Sequence, residues 1–407
     1  MALTSTTQPA AGPNLTTTRG AALYIGAILG PGLLLLPGLA AAEAGPASIL
    51  DWLALLALSG LFAAVFTALG RRVPSAGGVM GYVTASLGPR AGRATGWMFL
   101  AGVVGGAPIV CLIGASYVTG LTGGGQLTQA AVAAALLLTV IGLAAGGLRA
   151  SATVQVVLVS LLTGVVVVAV AGSAGAAQAS NWTPFAPHGW LSLGSAAATL
   201  MFSFVGWEAV APLTTRFADP ARQLPRAVAI ALAVTTALYL GLAVATIGVL
   251  GPRAATDVPL AGLLSQAIGP VGPAIAAVAA IVLTLGATNA YISGAAALVA
   301  VPTALFLAVY LGAMVAAIRV LPGAARLAAV PGALAVTIML GFCGWAVALP
   351  AVIAVIALAS GGRAWIAARR VRPVHYPSTL TVPPLRQYSP PERDRNCSST
   401  RSRRNAA

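Results

Sequence analysis

From residue 20 to residue 362 the sequence is a succession of apolar runs. Each is about 20 residues long, enough to cross a bilayer as a helix. Lipid offers the backbone no hydrogen bonds, so a spanning segment must satisfy its own peptide groups. The chain is 58% hydrophobic and 7% charged, which excludes an ordinary soluble protein, where about 25% of residues carry charge. The expected fold is an all-α polytopic membrane protein. The runs predict spans at 20–43, 48–70, 95–120, 127–147, 152–174, 193–215, 227–250 and 271–296. Three further apolar stretches follow at 301–318, 328–344 and 346–361, with Gly341 and Gly344 at the turn between the last two.

Residues 1–18 are polar and are expected to form a disordered cytoplasmic N-terminus. Residues 19–362 form the transmembrane domain. The tail 363–407 holds Arg, Pro and Ser and reads as a basic, disordered cytoplasmic segment, a solvated tail that fixes the C-terminus inside; the alternative is binding to anionic lipid headgroups. The net charge of +15 comes largely from this tail and from short loops. It follows the rule that basic loops stay inside, and it is not a nucleic-acid footprint. Both termini are therefore expected on the cytoplasmic side of the cell membrane.

The loops with Arg71, Arg72, Arg90 and Arg93, then Arg149, then Arg216, Arg222 and Arg226 all fall on that side. The alternation then fails. Stretches 271–296 and 301–318 must both end inside, because Arg319 and Arg326 follow the second. One crossing is missing near 296–301. Cys111, Cys343 and Cys397 lack metal-ligand spacing, and Cys111 and Cys343 are expected to be buried apolar side chains. His188 reads as a loop residue. No Ser/His, Asp/Asp or metal constellation falls within the spans, which argues against an enzyme; no metal or cofactor is expected.

Two spans carry breaks. Residues 26–37 read Gly-Ala-Ile-Leu-Gly-Pro-Gly-Leu-Leu-Leu-Leu-Pro. Gly costs roughly 1 kcal/mol and Pro roughly 3 kcal/mol inside a helix, so this span is either interrupted at mid-depth, which points to a binding site there, or kinked with its glycines serving close packing. The sixth span holds Phe202-Ser-Phe-Val-Gly-Trp-Glu208. Breaks five spans apart fit two inverted five-span repeats, 20–174 and 193–320, with extra spans at 328–361. Half-helix N-termini suit a carboxylate and half-helix C-termini suit an ammonium group. A paired break thus serves both ends of an α-amino acid without a charged side chain. Before the tail, Glu43, Asp51, Asp219 and Asp257 lie in or beside loops. Glu208 alone falls in the interior of a span, away from its ends, where an ionisable group is a functional candidate by default and a proton carrier by chemistry.

The ordered set of motifs resembles the amino acid–polyamine–organocation superfamily of secondary transporters. The resemblance rests on Gly26 to Gly32, on Pro74-Ser-Ala-Gly-Gly78 with Tyr82, Gly96 and Trp97, and on Phe202 to Glu208 leading into Asp219-Pro-Ala-Arg-Gln-Leu-Pro225-Arg226. The last spans, with Gly341-Phe-Cys-Gly-Trp345, look like the branch that exports methionine and branched-chain amino acids. The resemblance implies a LeuT-like fold with broken spans 1 and 6, about 11 spans being recognisable of the usual 12. It implies that Gly30, Gly32 and nearby backbone at Ile28 and Leu33 hold the substrate carboxylate. Pro31 lacks an N–H, so Gly32 and Leu33 are the expected donors. Carbonyls around Phe202, Ser203 and Val205 would hold the amine, Phe204 and Trp207 would pack over the substrate or gate it, and Glu208 would couple transport to protons. The expected function is proton-coupled transport of neutral apolar amino acids, in an exporter's or importer's direction. The alternative is a truncated, non-transporting relic or an amino acid-binding membrane protein. The expected partners are an amino acid substrate and membrane lipid, with no nucleic acid.

Overall fold

The computed structural model describes residues 15–30, 32–75, 78–145, 152–208, 211, 214, 217–288 and 300–356. Pro31, Arg149, the segment 289–299 where a crossing is missing from the arginine count, and the tail lie outside these residues. The described residues hold no strand, only an isolated bridge between Leu15 and Phe217. Six of their stretches are long and apolar enough to cross a membrane.

The first span divides into α1 (Thr17–Ile28) and α2 (Gly32–Ala44). Thr16 caps α1, its hydroxyl accepting from the Arg19 N–H at 3.3 Å. A 3-10 turn at Gly45–Ala47 leads to α3 (Ser48–Arg72). The basic connector after α3 is not a plain loop. It contains α4 (Gly78–Leu87), which buries Val79, Tyr82 and Val83 and packs on α5 (Pro89–Thr122). Next come α6 (Gln126–Ala145) and α7 (Ala152–Ser173).

The second half opens as the first does, with a helix that stops halfway. α8 (Ser192–Leu200) tightens into a 3-10 turn at Met201–Phe204, and Val205 is already extended. α9 (Pro220–Leu250) begins at the Asp219 motif, which does capping work. The Asp219 carboxylate accepts from the Arg222 N–H at 3.2 Å, Gln223 Oε1 accepts from the Asp219 N–H at 3.0 Å, and Pro220 takes the first helical position.

The segment 251–270, which lies between two expected spans and holds Asp257, contains α10 (Pro259–Ile268). Leu260, Leu263 and Leu264 fall on one helical face and are buried. That face packs on α7 and on α11 (Gly272–Thr288). α12 (Ala300–Val320) and α13 (Gly323–Phe342) follow, and Gly344 turns the chain at φ +55° into the helical residues 348–356. Cys111 and Cys343 are buried, as expected.

The core lies where α1, α3, α5, α9 and α12 meet the two broken segments. Its largest buried side chains include Trp52, Trp207, Tyr239, Tyr310 and Phe204. α1 packs on α7 and α9, α2 on α8, and α12 on α5, α4 and α13.

Candidate functional site

The two breaks meet backbone to backbone. At the first, the Leu29 N–H still reaches Ile25 O at 2.7 Å, but Leu29 turns away from helical geometry at ψ 60°. The Gly30 N–H then closes a tight turn onto Ile28 O at 2.7 Å. α2 restarts at Gly32. At the second break Gly206 has φ +149°, and a Cβ there would lie 2.6 Å from the Ala27 carbonyl oxygen. Only glycine allows that approach.

Tyrosines from two other helices hold the freed groups. The Tyr239 hydroxyl, from α9, lies 2.7 Å from Ile28 O and 2.7 Å from Ser203 O. It donates across both breaks, with one proton for two carbonyls. The Tyr310 hydroxyl, from α12, donates to Glu208 Oε2 at 2.6 Å and reaches Phe204 O at 3.3 Å. The Gly206 N–H donates to the same carboxyl oxygen at 2.9 Å. Glu208 is 1% exposed, and its Oε1 has no partner among the described residues.

A cavity of about 30 Å³ sits between the breaks. Ala27, Ile28, Gly30 and Gly32 line one side and Phe202, Ser203 and Val205 another; Gly106 and Val110 of α5 and Phe306 of α12 complete it. Ser203 is buried and its Oγ has no hydrogen-bond partner among the described residues. A Cβ on Gly32 would lie 3.0 Å from that oxygen. The hydroxyl therefore stands at the first residue of α2, beside the positive end of that helix. Larger hollows exist, such as one of about 430 Å³ lined by Pro46, Pro184 and His188. They lie away from both breaks.

Six of the residues singled out from the sequence thus surround one cavity: Ile28, Gly30, Gly32, Phe202, Ser203 and Val205. The other four are placed elsewhere. Leu33 is fully buried and its N–H donates to Gly30 O at 3.1 Å, so that donor is in use. Phe204 packs between Trp52 and Tyr239, at ring distances of 6.0 and 5.3 Å. Trp207 turns toward α3, its indole N–H donating to Ser59 Oγ at 3.0 Å and its ring 5.8 Å from Tyr24. Glu208 faces Tyr310, outside the cavity wall. Sequence reasoning missed Tyr239, Tyr310, Gly106, Val110 and Phe306. A tyrosine inside an apolar span signals that its hydroxyl has a partner; which partner depends on how the helices pack.

Residues 15–358 match the amino acid permease family. The chain belongs to that family. Two curated proteins are similar to it over most of its length. The uncharacterized amino acid permease YecA of Bacillus subtilis is 33% identical over 282 residues, 69% of this chain and 66% of that protein. The L-methionine/branched-chain amino acid exporter YjeH of Escherichia coli is 34% identical over 288 residues, 69% of this chain and 68% of that protein. The match thus spans about two thirds of the length of each. Among solved structures, MhsT in complex with L-phenylalanine aligns at 16% identity and a TM-score of 0.49, covering 83% of this chain and 81% of that one. YecA and YjeH are named as a permease and an exporter, transport proteins and not enzymes. This family member is a multi-pass membrane protein with two broken helices side by side at its core.

Proposed function

We propose that the chain is a proton-coupled secondary transporter of neutral, apolar amino acids. The observation that carries this reading is the cavity between the two breaks, with the Ser203 hydroxyl and the start of α2 on one side and half-helix carbonyls on the other. The substrate carboxylate sits at the Gly32 end of α2 and takes the Ser203 hydroxyl as a donor. The ammonium group replaces the Tyr239 hydroxyl at the Ile28 and Ser203 carbonyls, giving both carbonyls a donor. The side chain lies against Val110, Gly106 and Phe306, where no charge waits for a distal amine.

A cavity of about 30 Å³ holds little more than water, so this geometry belongs to a closed arrangement. Loading requires Phe202 or Phe306 to move. Glu208 touches the broken segment through Gly206 and α12 through Tyr310. A change in its protonation therefore alters a bond between the two parts of the molecule that must shift. That YjeH is named an exporter of methionine and branched-chain amino acids favours these substrates and the outward direction here.

The test is exchange in proteoliposomes. Wild-type protein is expected to move methionine or leucine with a pH gradient. Glu208→Gln is expected to keep substrate counterflow and to lose gradient-driven uptake. A variant with unchanged pH dependence would remove Glu208 from the coupling. The second reading, an amino acid-binding relic that does not complete transport, rests on the crossing missing from the arginine count. It predicts binding without counterflow.

A further inference from the structure

The α5 helix carries glycines along its length, and what stands opposite each one differs. Gly92 faces Thr84, Gly96 faces Met80, Gly114 faces Thr284 and Gly120 faces Val258. Gly102 faces the Phe306 ring, where a Cβ would come to 3.2 Å. These glycines let a neighbouring segment approach, the ordinary use of small residues between membrane helices. Gly106 is the exception among them. It is buried, yet a Cβ built on it meets no atom within 4 Å. The open space in front of it is the cavity between the two breaks, whose wall it helps to form.

Gly102, Gly106, Val110 and Gly114 are spaced by four residues and lie along one row of α5. That row is fixed on both sides of Gly106. Before it, Gly102 seats the Phe306 ring of α12, which also meets Phe99 at 6.0 Å. Beyond it, the Val110 carbonyl accepts from the Thr284 hydroxyl of α11 at 3.3 Å, and Gly114 packs against the same threonine. Between these two contacts the row opens to the cavity through Gly106 and Val110.

A wall held at both ends and lacking a side chain in the middle works as a gauge. In the substrate placement proposed above, the carboxylate and ammonium groups are held by the two breaks, and the side chain is directed at Gly106, Val110 and Phe306. These three residues carry no charge and no polar side-chain group, so the gauge reads size and shape. The other walls belong to the broken segments and to Phe306, which must shift for loading; α5 supplies the constant reference.

We infer that Gly106 is a specificity-determining residue, whose missing side chain provides the space for the branched or thioether side chain of a large neutral amino acid. The inference rests on the transport reading above and adds to it the residue that sets the limit of substrate size.

The experiment is thermal unfolding of the detergent-purified full chain against concentration series of alanine, valine, leucine and methionine, read as the apparent affinity fitted to the rise in Tm. Wild type is expected to bind leucine and methionine more tightly than alanine. Gly106→Ala adds a methyl group to open space, at a helix position where alanine is the better former, so its Tm without ligand is expected to be no lower than that of the wild type. Its ratio of leucine to alanine affinity is expected to fall about tenfold or more, the usual effect of one methylene in an apolar pocket. Val110→Ala enlarges the same wall and is expected to move the ratio in the opposite direction; it serves as the test if the Gly106 variant fails to fold. An unchanged ratio, or an equal weakening of alanine and leucine, would overturn the role of Gly106. A wild type that binds none of the four amino acids would overturn the transport reading itself, and the size gauge with it.

Discussion

At Gly206 one hydrogen atom decides whether the two broken helices can touch. A methyl group there would meet the Ala27 carbonyl oxygen at 2.6 Å, on a backbone with φ +149°. Gly206→Ala is expected to cost about 1–3 kcal/mol from backbone strain alone, with a further penalty for the clash. The check is the Tm and monodispersity of the purified variant; a wild-type Tm would mean that the breaks do not pack as described. Tyr239 works in the opposite sense, by adding a group. Its hydroxyl is shared by Ile28 O and Ser203 O, while its ring packs on Trp52 and Phe204. Tyr239→Phe keeps the ring and strands both carbonyls. A loss of about 1–3 kcal/mol is expected for leaving buried acceptors unpaired. The same variant is expected to bind substrate more tightly relative to its own stability, because the ammonium no longer competes with a hydroxyl. Unchanged affinity would separate Tyr239 from the amine position.

The elements differ in how openly the sequence declares them. The breaks were partly legible: Gly30 and Gly32 at the first and Gly206 at the second mark interruptions of an apolar run, but glycines in a membrane helix also serve close packing, and the sequence alone left both readings open. Helices α4 and α10 were not legible as helices. Each is short and lies between basic or proline-marked residues, where a loop is the ordinary expectation. What makes α10 helical is the face formed by Leu260, Leu263 and Leu264 against α7 and α11, and that face is seen only once its neighbours are placed. The direction of Trp207 was hidden for the same reason. A residue in a turn has no periodicity to say which way it points, and Ser59, its partner, lies on another helix. The Asp219 motif could be read from sequence as a helix start, and the structure gives it that role. Asp219→Ala is expected to lower stability by about 1 kcal/mol through loss of the cap. Its exposed pair with Arg222, at 3.8 Å, adds little. A matching loss in Arg222→Ala would show that the ion pair, and not the cap, carries the effect.

For the whole molecule, the cavity belongs to no single helix. α1, α2, the segment after α8, α5 and α12 each supply part of its wall, and Tyr239 on α9 and Tyr310 on α12 tie its freed backbone and Glu208 to the surrounding bundle. Movement of either broken segment against the bundle must change these bonds, and under the proposed transport function this is the route by which binding in the cavity would reach the rest of the chain. The measurement that bears most directly on this account is thermal unfolding of the purified chain against a panel of amino acids. A ligand at about 100 times its dissociation constant stabilises the folded state by roughly 2.7 kcal/mol. Methionine, leucine or valine is expected to raise the Tm of the wild type, and arginine and putrescine are not. The rise is expected to shrink in Ser203→Ala, which removes only the hydroxyl beside Gly32. A cooperatively unfolding wild type that responds to none of the neutral amino acids, or a Ser203→Ala variant that responds in full, would contradict the site between the two breaks.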